Sequence, residues 1–220
     1  MSAKRFPFTI RLGNRVHRQR HWKVVKMDSA WNQLLEASGA VRSLLEVRDR
    51  QLVLAESCTA GLISAALAHW PGVSNWLCGS AAVYQSRTKH EWLGIDDAIL
   101  ADPNHGPVSL VVTEQLAQAA LMRTTHATIA AAVTGHLGPG APAELDGAAF
   151  FAIAIAAKET KRGTVSIDRQ VQLIRSDRFQ LTGDWNNIDL SSPKNAIALR
   201  HRRMIDAATY VLQQIQIELR

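Results

Sequence analysis

Ser57 follows a short apolar segment, Gln51 to Ala55, in the run Glu56-Ser57-Cys58-Thr59, and an Ala- and Leu-rich stretch of helical spacing comes after it. A hydroxyl at such a strand-to-helix turn sits beside the unpaired N–H groups of a helix N-terminus, which suit an oxyanion or a phosphate. The same position also suits a plain N-cap served by Ser57 or Thr59. A serine nucleophile needs a base. There is no Gly-x-Ser-x-Gly elbow, and the histidines lie mostly in loops and in the basic start of the chain. Lysine is then the alternative base, as in Ser-Lys hydrolases. Lys89 is the candidate, with Tyr84 five residues before it at the end of the next apolar segment, so that both can face one sheet edge. A lysine works as a base near neutral pH only when desolvated or set beside other positive charge, and Trp92 and Leu93 are apolar neighbours that could exclude water. Taken singly, Lys89 also reads as a surface lysine and Tyr84 as a core tyrosine.

The second feature is Thr134-Gly135-His136-Leu137-Gly138-Pro139-Gly140, which follows the apolar run Ala127 to Val133. Its glycines permit close approach of backbone to a ligand, although a tight turn explains them equally well. No Gly-Lys-Ser/Thr follows, so it is not a P-loop, and the glycine order is wrong for a dinucleotide fingerprint. No His-Glu-x-x-His occurs, and eight scattered histidines with two cysteines make no recognised metal set.

The elements that must position these residues read as α/β. The spacing of Trp31, Leu34, Leu35, Val41, Leu44 and Leu45 predicts a helix interrupted near Gly39. Strands are expected at 51–55, 77–84 and 127–133, and helices at 60–70, at 85–93 ended by Gly94, and at 110–124 capped by Ser109. Residues 147–157 and 164–174 read as an antiparallel hairpin turning at 158–163, and 196–219 as a long closing helix. The polar stretch Ser176 to Asn195 reads as one long loop. The expectation is one three-layer α/β/α domain with a mixed sheet.

Charge and composition narrow the function classes. The 220 residues carry 25 Lys plus Arg against 19 Asp plus Glu, a net of +6. Eight of the basic residues and none of the acids fall within residues 1–26, which leaves the chain from Met27 onward at −2. The cationic character belongs to an N-terminal extension, expected to be disordered, and nucleic-acid binding is not expected of the domain. The longest apolar run, Ala148 to Ala157, has ten residues, against about 20 for a membrane span. Cys58 and Cys78 are too few for a disulfide scaffold, which points to a reducing cytoplasm.

Taken in order, these segments resemble the CinA C-terminal domain family, which includes nicotinamide-nucleotide amidases, over roughly Trp31 to Ile217. The resemblance rests on Ala55-Glu56-Ser57-Cys58-Thr59-Ala60-Gly61-Leu62, Pro71-Gly72-Val73-Ser74, Tyr84-Gln85-Ser86-Arg87-Thr88-Lys89 with Leu93-Gly94-Ile95, His105-Gly106-Pro107-Val108-Ser109, and the glycine run from Thr134. It implies hydrolysis of the carboxamide of nicotinamide mononucleotide to the nicotinate nucleotide and ammonia, with neither metal nor other cofactor, in a protein that forms homo-oligomers. Carried over by position, Ser57 would be the nucleophile, Lys89 its base and Tyr84 an orienting or proton-relaying neighbour. Thr59, Gly61, Thr134, Gly135 and Gly138 would line the nucleotide pocket, and Arg200 would be a phosphate ligand. Three departures from the family pattern stand out: Ala60 in place of a first glycine, His136-Leu137 in the glycine run, and Lys194-Asn195-Ala196 ahead of Arg200. The first two motivate an alternative of a different class, a nucleotide-binding or regulatory module of the same fold with impaired turnover.

Overall fold

The computed structural model describes residues 29–156, 170–181 and 189–220. The N-terminal basic segment, the expected turn at 158–163 and the strand expected to start at Thr164 fall wholly or partly outside these residues.

Five strands form one mixed sheet: β1 (Leu52–Glu56), β2 (Leu77–Ala82), β3 (Ile129–Gly135), β4 (Ala148–Ala156) and β5 (Val171–Gln180), in the order β2-β1-β3-β4-β5. The first three are mutually parallel, and β4 and β5 run antiparallel. Every residue of β1 is buried, as a central parallel strand covered on both faces requires. Along β1, β3 and β4, alternate residues serve opposite cores. Leu52, Leu54, Ile129, Val133, Phe151 and Ile153 pack under α1 (Ser29–Val47), α2 (Leu62–Ala68) and α6 (Pro193–Leu219). The other face presents mainly alanines: Ala55, Ala130, Ala132, Ala152 and Ala154. Over them lie Leu93 of α3 (Ser86–Leu93), Leu100 of α4 (Asp97–Leu100), and Val112, Leu116 and Leu121 of α5 (Leu110–Arg123). The result is the expected three-layer α/β/α arrangement.

Four details differ from the sequence reading. Helix α1 runs unbroken through Gly39, because this glycine serves packing rather than helix termination: a Cβ there would lie 2.6 Å from Cζ2 of Trp70. The Trp70 indole N–H completes that contact by donating to Ser38 Oγ at 2.8 Å. Strand β5 takes in 176–180, the first part of the supposed loop. It is an edge strand whose polar side chains find local partners: Arg175 pairs with Glu218 at 2.6 Å and Ser176 donates to Glu114 at 2.6 Å, while Phe179 turns into the core. The closing helix begins at Pro193 with Ser192 as N-cap. Finally, α4 was not anticipated. It is a single turn whose start is held by Asp96, which accepts from the Ala98 N–H at 2.9 Å.

Candidate active site

At the end of β1 the chain makes a tight turn from Ser57 to Gly61, with Ala60 at φ +52° and Gly61 at φ +96°. The left-handed conformation at Ala60 costs on the order of 1 kcal/mol for a residue with a Cβ. The departure of Ala60 from the family pattern therefore falls on a position that favours glycine. The N-terminus of α2 is not capped by Ser57 or Thr59. Glu56, 0% exposed, does the work: its Oε2 accepts from Thr59 Oγ1 at 2.8 Å and from the N–H groups of Gly61 and Ile63 at 3.0 Å. Its Oε1 accepts from the Ser64 N–H at 3.0 Å and from Ser80 Oγ at 2.9 Å. The helix donors expected to serve an oxyanion are thus occupied by a carboxylate from the chain itself. The N–H groups of Cys58 and Thr59, by contrast, donate to no backbone carbonyl among the described residues.

Ser57 is 5% exposed, its N–H is fixed to the Val133 carbonyl at 3.0 Å, and its hydroxyl has no hydrogen-bond partner among the described residues. Lys89, on α3, is 1% exposed, and its Nζ donates to the Pro107 carbonyl. Burial pushes its pKa down from 10.5 to about 8. Cys58 lies within electrostatic reach of Lys89, but burial pushes that thiol up to about 12, so it supplies no anion to hold the ammonium at neutral pH. His136 feels the same surroundings: burial first, then the charge of Lys89, push its imidazole below 6.5. No hydrogen bond joins Lys89 to Ser57 or Tyr84 among the described residues. What the fold does is bring the segments together. The Val83 N–H donates to the Glu56 carbonyl at 2.8 Å, which sets Tyr84 beside the Ser57 turn.

Tyr84 is 53% exposed, and its hydroxyl accepts from Nη2 of Arg200. Nη1 of Arg200 donates to the Gly138 carbonyl at 2.9 Å. Tyr84, Gly138 and Arg200 therefore form one group, whereas Thr59 and Thr134 turn their hydroxyls inward. The Thr59 hydroxyl serves Glu56. Thr113 Oγ1 donates to the Ser109 carbonyl at 2.7 Å, so the 2.8 Å bond between Thr113 and Thr134 takes its proton from Thr134. Gly135 is required by closeness, since a Cβ there would lie 2.9 Å from Ala149 Cβ and 3.1 Å from Cys58 Sγ. A cavity of about 500 Å³ runs between residues 103–111 and His136, Leu145 and Phe150. Pro107, which holds Lys89, is part of its wall.

Two elements of the site carry no motif of their own. The sequence signal for Glu56 is its place immediately before the Ser57 turn, and the pairing of Asp146 with Arg203 has none. Arg203 is 7% exposed and donates from Nη1 and Nη2 to the two carboxylate oxygens of Asp146, each at 2.8 Å.

These features define an α/β domain with a serine hydroxyl unpaired among the described residues and a desolvated lysine at the carboxyl edge of a parallel β-sheet segment. The chain belongs to the CinA C-terminal domain family, whose sequence pattern it matches over residues 35–201. It is 33% identical over 160 residues to a CinA-like protein of Mycobacterium avium, covering 71% of this chain and 33% of that protein. It is 32% identical over 174 residues to a putative competence-damage inducible protein of Caldicellulosiruptor bescii, covering 79% of this chain and 38% of that protein. The matched region thus amounts to about a third of each of these relatives. In fold it is similar to the competence damage-inducible protein A of Klebsiella pneumoniae, with a TM-score of 0.65 and 23% identity, covering 84% of this chain and 96% of that one.

Proposed function

We propose that this chain is an amidase that converts nicotinamide mononucleotide to nicotinate mononucleotide and ammonia, with Ser57 as nucleophile and Lys89 as base. The observation that carries this reading is the burial of Lys89, with its pKa near 8, at the same sheet edge as a serine hydroxyl that has no hydrogen-bond partner among the described residues. A neutral amine that donates to Pro107 keeps its lone pair free for the Ser57 proton. Attack of Oγ on the carboxamide carbon would pass that proton to Nζ, and Lys89 would return it to the departing ammonia. Water would then attack the ester by the same path, releasing the carboxylate and restoring Ser57. Arg200, held by Tyr84 and Gly138 and without a carboxylate partner among the described residues, suits the phosphate. Nucleophile and base are side chains of the chain itself, so this chemistry calls for no cofactor, and we place it in the cytoplasm in a homo-oligomer.

The test is ammonia release from nicotinamide mononucleotide by wild type, Ser57→Ala and Lys89→Ala. Loss in both folded variants is expected; turnover persisting in either would remove that residue from the mechanism. The second reading, a binding or regulatory module, is favoured by the left-handed Ala60 and by the absence of a Ser57–Lys89 hydrogen bond. Calorimetric binding of the nucleotide by wild type, with no ammonia released over long incubation, would select it.

A further inference from the structure

We infer that the ion pair between half-buried Asp146 and buried Arg203 is a positioning device for Arg200, and that through it the chain sets its affinity for a substrate bearing a phosphomonoester. The inference rests on the amidase reading for its substrate, though not for its geometry. Arg200 and Arg203 lie three residues apart on α6, and so share one face. They have opposite surroundings. Arg203 is compensated by two 2.8 Å bonds to Asp146, with a longer one, 3.4 Å, to the Leu137 carbonyl. Its Nε is buried with no acceptor among the described residues, which marks the site as arranged around the bidentate contact rather than around full satisfaction of the guanidinium. Among the described residues Arg200 meets only neutral acceptors, the Gly138 carbonyl and the Tyr84 hydroxyl.

The loop joining β3 to β4 closes around the pair at both ends. A Cβ at Gly138 would fall 2.3 Å from Asp146 Oδ1 and 2.7 Å from Arg203 Nη1, and one at Gly147 would fall 3.4 Å from Arg203 Cζ. Glycine at these places lets the loop fold onto α6. The Gly138 carbonyl that orients Arg200 is therefore placed by the Asp146–Arg203 contact one turn further along the same helix. The pair also keeps Arg203 neutralised, so that Arg200 alone offers an uncompensated charge to an anion. Arg203 acts through Arg200 and is a positioning residue, not a phosphate ligand.

The experiment compares wild type with the double variant Asp146→Leu/Arg203→Met, which removes both charges together and leaves the net charge unchanged. Arg203→Lys, which keeps the charge but loses the fork, covers the case in which the double variant does not fold. Ammonia release is measured on nicotinamide mononucleotide and on nicotinamide riboside, which lacks the phosphate. The expected result is a KM for the mononucleotide raised about tenfold, kcat within about threefold, and kinetics on the riboside unchanged. In an Arg200→Gln background the same substitutions should add nothing. Equal losses on both substrates, an unchanged KM for the mononucleotide, or additivity with Arg200→Gln would each overturn the inference. Calorimetric titration with ribose 5-phosphate separates it from the amidase reading. Wild type that makes no ammonia but binds this probe more tightly than the variants refutes the amidase and supports the pair, whereas equal binding or no binding refutes the pair.

Discussion

Replacing Lys89 by methionine should abolish ammonia release and at the same time stabilise the fold at neutral pH. The buried amine has its pKa lowered from 10.5 to about 8. At about 1.4 kcal/mol per pH unit, that interval corresponds to about 3 kcal/mol by which the folded state is penalised whenever Lys89 must be charged. Because the pKa of this base is depressed in the folded state, the unfolded chain binds more protons between pH 8 and 10.5. Wild-type stability therefore rises through that window as pH increases, and the penalty is complete below pH 8. Methionine keeps the apolar stem and removes the ammonium, but it leaves the Pro107 carbonyl without its donor, at a cost of about 1 kcal/mol. The net expectation for Lys89→Met is a gain of about 2 kcal/mol at pH 7 that disappears as the pH approaches 10.5. Urea unfolding of both proteins at pH 7 and at pH 10 measures it. A destabilised variant at pH 7, or a gain of the same size at both pH values, would refute the assignment of Lys89 as a desolvated base.

Three further outcomes follow from the backbone and the buried charge. Ala60→Gly removes a Cβ from a residue at φ +52° and should raise stability by about 0.5–1 kcal/mol, net of the greater chain entropy of glycine, as read from a urea midpoint. Gly39→Ala improves helix propensity but drives a methyl to 2.6 Å from the Trp70 ring; a loss of about 1–2 kcal/mol is expected, and a gain in thermal midpoint would contradict the packing role. Glu56→Gln replaces one of two oxygens that face only donors with an amide NH₂. We expect a loss of about 2–4 kcal/mol in denaturant unfolding, and an unchanged midpoint would show that the five contacts carry no net stability.

What could be read from the chain and what could not divide along a physical line. The parallel strands, the Ser109 cap and the Gly94 terminus depend on local composition, and the structure has them where expected to within a residue or two. Gly39 was misread because the same residue type serves helix ends and close packing, and only the position of Trp70, distant in sequence, decides between them. Strand β5 was cut short because its polar residues look like loop until Glu114 and Glu218 are placed beside them. At the site, the segments around Ser57, Tyr84 and Lys89 were recognisable, but their partners were not. Arg200 holding Tyr84, and Asp146 holding Arg203, are contacts between residues more than 50 positions apart. No local pattern encodes them.

The occupation of the α2 N-terminus by Glu56 changes how the proposed chemistry would be driven. With the Gly61, Ile63 and Ser64 N–H groups taken up, a tetrahedral oxyanion at Ser57 would find a fixed carboxylate nearby instead of a free helix dipole. The N–H groups of Cys58 and Thr59 donate to no backbone carbonyl among the described residues, although that of Cys58 lies against its own thiol, and the charge that offsets Glu56 must come from elsewhere. In the proposed mechanism Lys89 would supply it in step with the reaction. In the ground state above pH 8 it is neutral and its burial costs little. On taking the Ser57 proton it would become a cation at the moment the oxyanion forms. The desolvation that disfavours an isolated ammonium is then offset by an ion pair that exists only along the reaction path. An interaction present in the transition state and absent before it is the kind that raises kcat rather than lowering KM. On the proposed mechanism the buried lysine would be both the base and the main electrostatic stabiliser of the site, and its removal should then cost turnover while relieving the fold.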